Sequence, residues 1–404
     1  MQKKVGIITL LALLTSLCAP ALVGRETRQP QWSEDLSRYG YSERHPYSDT
    51  AVAASNDNVA VALNTSEDIN AAPSVPAAFP TSNWKLSLSV FHASDGKFRG
   101  ACGPWSGGIL FDLWSTADGN FLLDQEPPQV AREKTSGRVL LLSPSCQVLK
   151  KIELPSLGEK GGTEFLISPT QRTFLIVEDS VRGTQCDLRD ANTLLEHFKI
   201  DMGSDVPHII AASDDGLLGI KSAPSGSSAR TAARFFYFDF HARNWSEIPD
   251  LNVPEALDPV RFISNGAFID PATTGSTDAW AASGTQIVIR RMDGTAAFST
   301  TISRKGDHIS LGSPFAVSPA GNYFGVVLSS YSVASFWRFF DMSPGHDECY
   351  IWSLRNAEPI VRISLQSGSQ HQQLAFAPEG SWFALLNGKT LVVRRLPGQH
   401  TPKR

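Results

Sequence analysis

A tight turn between two apolar runs returns about every fifty residues along this chain, and that repeat constrains the fold more than anything else in the sequence. The turns at Asp95-Gly96, Pro144-Ser145, Ala191-Asn192, Arg243-Asn244, Asp293-Gly294 and Arg355-Asn356 sit inside apolar runs at 86–99, 138–154, 185–200, 235–248, 286–302 and 350–365, and a last run at 390–396 precedes Pro397-Gly398. From Gly96 to Gly398, six steps cover 302 residues, a mean near 50. A second series lies between these, at 52–63, 108–123, 165–177, 209–220, 260–282, 315–328 and 374–386, most of them turning at Ser-Pro, Asp-Gly or Asn-Asp steps. Gly and Pro supply the fixed or positive φ that a turn needs, and the flanking residues carry strand patterning with no long helical period.

Two hairpins per unit make four strands, and stacked four-stranded units at this period predict an all-β, seven-bladed β-propeller with antiparallel blades over 51–398. The seventh unit ends after its third strand, because residues 399–404 form a short basic tail. An open ring exposes a strand edge that a stable protein must cover. Within a leader of 22–50, the segment 31–50, with Trp32, Leu36, Tyr39, Tyr41 and Tyr47, is the candidate for a closing strand; a simple flexible leader is the other reading.

The run from Cys349 to Val361 resembles the third strand, turn and fourth strand of a WD40 blade, with Trp352 at the Trp position and Ser353 where that family usually carries Asp. Ser318-Pro319-Ala320-Gly321 and Ala377-Pro378-Glu379-Gly380 resemble its "SPDG" turn, and Cys186-Asp187-Leu188-Arg189 is a weaker echo. The chain is thus similar to a divergent, exported WD40-like or YVTN-like propeller. That resemblance implies a scaffold for contacts more often than an enzyme.

Residues 1–21 read as a secretion signal: Lys3 and Lys4, an apolar run over 5–18, then Ala19-Pro20-Ala21. The run is short for a membrane span, so no stable membrane insertion is expected after processing. Cys18 leaves lipoprotein anchoring as an alternative, although Leu17 stands where a small residue is expected. Export to the periplasm or the medium would allow Cys102, Cys146, Cys186 and Cys349 to pair, in connectivities the sequence leaves open; four buried thiols are the alternative. Apolar residues at 42%, a formal net charge of -4 and a pI near 6.2 exclude a disordered chain and a general nucleic-acid binder.

Candidate chemistry is sparse, and neither a catalytic set nor a cofactor is assigned. His346-Asp347-Glu348-Cys349 is the densest group of possible metal ligands, but neighbours on a strand point to opposite faces, so no metal site is assigned there. No Gly-x-Ser-x-Gly elbow or His-Glu-x-x-His helix is present. The connection 329–348 gathers Tyr331, Phe336, Trp337, Arg338, Phe339 and Phe340, aromatic anchors with an arginine that suit a protein or glycan partner; a local hydrophobic plug is the other reading. Thr163, Glu164, His208, Arg261, Ser313 and Gln372, placed near the starts of first strands, are candidates for lining a central channel, where an enzyme would keep a small-molecule site. The expected role is a non-catalytic binding or scaffolding module, with a hydrolase or other channel enzyme as the alternative.

Overall fold

The computed structural model describes residues 31–41, 50–66, 84–106, 109–126, 137–154, 162–180, 183–221, 234–249, 261–264, 266–274, 284–303, 307–332, 346–356, 358–365 and 372–397. They form seven four-stranded antiparallel sheets. Blade 1 holds β2 (Thr50–Ala54), β3 (Asn58–Ser66), β4 (Trp84–His92) and β5 (Phe98–Ser106). Blade 2 holds β6 (Ile109–Ser115), β7 (Phe121–Glu126), β8 (Arg138–Leu142) and β9 (Val148–Glu153). Blade 3 holds β10 (Gly162–Ile167), β11 (Thr173–Ser180), β12 (Gly183–Asp190) and β13 (Glu196–Gly203), and blade 4 holds β14 (His208–Ala212), β15 (Gly216–Lys221), β16 (Arg234–Asp239) and β17 (Asn244–Glu247). Blade 5 comprises β18 (Arg261–Ser264), β19 (Ala267–Thr274), β20 (Gly284–Arg291) and β21 (Ala296–Ser303); blade 6 comprises β22 (Asp307–Val317), β23 (Tyr323–Ser332), β24 (His346–Ser353) and β25 (Pro359–Ser364). Blade 7 takes β26 (Gln372–Phe376), β27 (Trp382–Asn387) and β28 (Thr390–Arg395) from the end of the chain and β1 (Trp32–Asp35) from its beginning.

The core is divided into seven clusters, one at each junction between neighbouring blades. Side chains alternate across a strand, so each strand serves two junctions. In β3, Val59, Val61 and Leu63 pack toward blade 7, while Ala60 and Ala62 pack toward blade 2. Burial on both faces explains why the inner strands read as unbroken apolar runs rather than as apolar-polar alternation.

The expected closure is present: β1 pairs antiparallel with β28, Trp32 opposite Val393 and Asp35 opposite Thr390. It also grips blade 1. Trp32 Nε1 donates to Ala93 O at 2.6 Å, Gln31 Nε2 donates to Ser94 O at 2.7 Å, and Tyr39 stacks on Phe98 with centroids 5.0 Å apart. A 3₁₀ turn over Leu36–Tyr39, capped by Asp35, buries Leu36 in the blade 7 to blade 1 core.

Of the four cysteines weighed for pairing, Cys102 and Cys146 form a disulfide that ties β5 to the turn before β9, so it crosses from blade 1 to blade 2. Cys186 and Cys349 are buried free thiols, and burial pushes each up to about 12, with Asp179 adding to the rise at Cys186. No helix among the described residues is long and apolar enough to cross a membrane.

Candidate functional site

Successive antiparallel strands fix which connections share a face of the disc. In each blade the connections from first to second strand and from third to fourth strand emerge on one side, the turn face. Those from second to third strand, and from one blade to the next, emerge on the other, the loop face.

The turn face is committed to structure. Hydroxyls at the ends of first strands close the turns: Ser168 Oγ accepts from Thr173 N at 3.2 Å, Ser213 Oγ from Gly216 N at 3.0 Å, and Ser318 Oγ from Tyr323 N at 3.0 Å. The turns also bond to their neighbours. Ser115 Oγ donates to Gln171 Oε1 at 2.8 Å, linking blades 2 and 3, and Thr170 and Thr173 each donate to Asp214 at 2.7 Å, linking blades 3 and 4.

The strand ends joined by residues 67–83, 127–136, 222–233, 275–283 and 333–345 are at the loop face; those residues themselves lie outside the described ones. The aromatic connection is shorter than the sequence suggests, because β23 continues through Ser332 and β24 begins at His346. Tyr331 is therefore a strand residue whose backbone pairs with His308, the ladder having extended past the apolar run. Phe336, Trp337, Arg338, Phe339 and Phe340 lie outside the described residues, but the strand ends that their segment joins are at the loop face. The metal-like run at its root is split as strand alternation requires. Asp347 accepts from Gln372 Nε2 at 2.9 Å, whereas Glu348 accepts from Tyr350 OH at 2.7 Å and from Arg362 Nη2 at 2.9 Å.

A central cavity of about 430 Å³ runs along the axis and touches all seven first strands. Consecutive residues border it, as in the stretch from Thr50 to Ala54. Alternating side chains alone would not do that, so the wall includes the strand edges themselves. Each first strand is the end strand of its sheet, and its outer edge pairs with no other strand among the described residues. The axis is consequently able to form hydrogen bonds, although most of the lining side chains are apolar.

The six channel candidates lie beside this cavity rather than in its described lining. Thr163, Glu164, His208, Arg261 and Gln372 sit at or next to the loop-face ends of β10, β14, β18 and β26. Ser313 does not open its strand: β22 begins at Asp307, and Ser313 falls in the irregularity between Gly312 and Phe315. Gln372 is bonded between blades 6 and 7, and the backbone of Arg261 pairs with Ile269. Glu164 and His208 meet across blades 3 and 4, Oε1 to Nε2 at 3.7 Å. Burial holds the Glu164 carboxyl above the usual carboxylate range; His208 opposes that rise and Asp179 adds to it.

Two features of this mouth were missed in the sequence. Asp112 is the charged residue among the described cavity-lining residues, and it accepts from Leu113 N at 2.8 Å. Thr50, also in the wall, stands level with Thr163 and Gln372, each five positions before its turn residue Ser55, Ser168 or Ala377 along an unshifted ladder. Aligning the first strands on those turn residues would have found both, since Asp112 and Glu164 then fall at one level, four positions before Thr116 and Ser168.

These features define a class: a seven-bladed β-propeller closed by its amino-terminal strand, with one bonded face and one loop-bearing face. No family model matches the chain, and no curated protein matches it in sequence. Among solved structures it is similar to the β-propeller domain of the trilobed protease from Pyrococcus furiosus, described as having an open velcro topology, at 10% identity and TM-score 0.51 over 88% of this chain and 94% of that one. A chain of the Kuenenia stuttgartiensis hydrazine synthase matches at 12% identity and TM-score 0.47, covering 86% of this chain and 95% of that one. A chain of a mitotic checkpoint complex matches at 14% and 0.48, covering 91% and 94%. At such identities the likeness is one of fold.

Proposed function

We propose that the protein is an exported, non-catalytic binding or scaffolding module, a divergent WD40-like or YVTN-like propeller that presents its loop face to a protein or glycan partner in the periplasm or outside the cell. The observation that carries this reading is the division of labour between the faces. The roots of the long connections, including the one bearing Trp337 and Phe339, share one side, while the turns opposite are bonded to one another. A rigid ring holding variable loops displays aromatic anchors without ordering them anew at each encounter. The disulfide supports an oxidising compartment. Quantitative crosslinking in the native compartment tests the reading: wild type captures a specific partner, and a folded Trp337→Ala, Phe339→Ala variant loses it. Identical capture profiles would overturn it.

The alternative, a hydrolase or other enzyme at the channel mouth, draws on one observation, the Glu164–His208 pair with its raised carboxyl. It requires a turnover that Glu164→Gln abolishes while leaving the fold intact.

A further inference from the structure

The large apolar side chains left exposed among the described residues are Phe98, Val148, Leu149 and Leu195. All four belong to blades 1 to 3, and all four lie beside turns between third and fourth strands, on the rim of the turn face. This sector is held rigid. The Cys102–Cys146 disulfide ties β5 to the turn before β9, and Lys150 Nζ donates to Thr193 O at 2.7 Å, tying β9 to the turn before β13.

The backbone here is poorly suited to accept an added strand. The pairings of β5, β9 and β13 each shift register near the turn, leaving Arg99, Leu149 and His197 as extra residues on the outer strand. Bulged edges resist strand addition, so recognition falls to the side chains. Their charge is lopsided. Of the acids beside these turns, Asp95 pairs with Lys97, Asp187 and Glu196 share Arg189, and Asp190 accepts from the Asn192 and Thr193 amides. Arg99 and Lys199 remain exposed, and Lys150 bonds only a neutral carbonyl. A locally basic, apolar rim on a chain of net charge -4 calls for acidic groups interleaved with apolar ones.

We propose that this rim is a second docking surface, which binds an extended segment of a partner protein carrying large apolar residues interleaved with Asp or Glu. It is separate from the loop face and does not depend on the loop-face reading. The test is fluorescence anisotropy on the full, oxidised chain with two synthetic peptides, one alternating Leu with Glu between proline ends and one with Lys in place of Glu. The acidic peptide should bind, and Leu149→Ser with Leu195→Ser should weaken it by about tenfold or more. Arg99→Glu with Lys199→Glu should weaken it similarly and transfer binding to the Lys peptide. Every substituted position is exposed, and Leu195→Ser alone repeats the test if the double variant fails to fold. Trp337→Ala with Phe339→Ala should leave the rim peptide bound, which separates this surface from the loop face. Equal binding of both peptides, indifference to the rim variants, or a dimer that Leu149→Ser dissociates would each overturn the proposal.

Discussion

Gly96 is where the amino-terminal strand meets blade 1, and a double-mutant cycle there tests how the ring is closed. Its φ is +72°, and a Cβ built on it would lie 2.9 Å from Cδ2 of the Trp32 indole. Gly96→Ala therefore brings two penalties: about 1–2 kcal/mol for a non-glycine residue in the left-handed region, and about 1–3 kcal/mol for overlap with a packed ring. In a Trp32→Ala background only the first remains. Trp32→Ala itself should cost about 3 kcal/mol, the low end for a large aromatic because the indole is partly buried and also gives up its bond to Ala93 O. The two substitutions together should thus be less harmful than their sum by about 1–3 kcal/mol. Urea unfolding of the four proteins, compared by midpoint at unchanged m, measures this. An equal effect of Gly96→Ala in both backgrounds would mean that Trp32 does not lie against this turn, and the closure would have to be rebuilt.

The remaining predictions concern the staple and the carboxylates. Cys102→Ser with Cys146→Ser opens a loop with a sequence separation of 44 and should cost about 4 kcal/mol on the chain-entropy account; Cys186 and Cys349 should stay unlabelled by thiol reagents in the folded protein as pH rises through the normal thiol range, because burial holds both near 12. Asp95 is held down to about 2, chiefly by hydrogen bonds from Lys97. Its contribution to the turn is present above 3.8 and is lost as pH falls through about 2, so the Gly96 amide resonance should move in that window in wild type and not in Asp95→Asn. Glu164 has the opposite sign: its raised value makes its contribution full below 4.5 and lost as pH rises through the folded value, so Glu164→Gln should raise the melting temperature at neutral pH, and a lowered one would refute the burial argument.

The sequence announces the blades because the second strand of each blade has a stretch buried on both faces while the turns keep Gly, Pro, Asn and Asp. Those two patterns place the hairpins without any knowledge of neighbouring strands. Closure was legible for a related reason: β28 had no fourth strand after it, and the Trp32 to Tyr41 stretch carried unexplained large apolar residues. What escaped depends on contacts between blades. Cys102 and Cys146 meet because an outer strand of one blade passes the turn of the next, which spacing along the chain does not encode. Ser313 was misplaced because β22 continues through an irregularity that its apolar pattern does not reveal. Asp112 was overlooked because its role depends on which residues border the axis, and that requires the first strands to be aligned with one another.

That alignment also bears on orientation. Trp32 pairs with Val393 near the turn after β28, and Gln31 bonds Ser94 in a turn of blade 1, so the chain enters the ring from the turn face. The turn face bears bonds between neighbouring turns and the entry of the amino-terminal strand, and its rim carries the exposed Phe98, Val148, Leu149 and Leu195. If the loops bind as proposed, a change in them should alter what is bound without loosening the ring, whereas a change at Gly96, Asp214 or the disulfide should loosen the ring and with it both surfaces. Partner loss without a fall in stability is accordingly the signature of a loop-face or rim variant, and loss of both together marks a fault in closure.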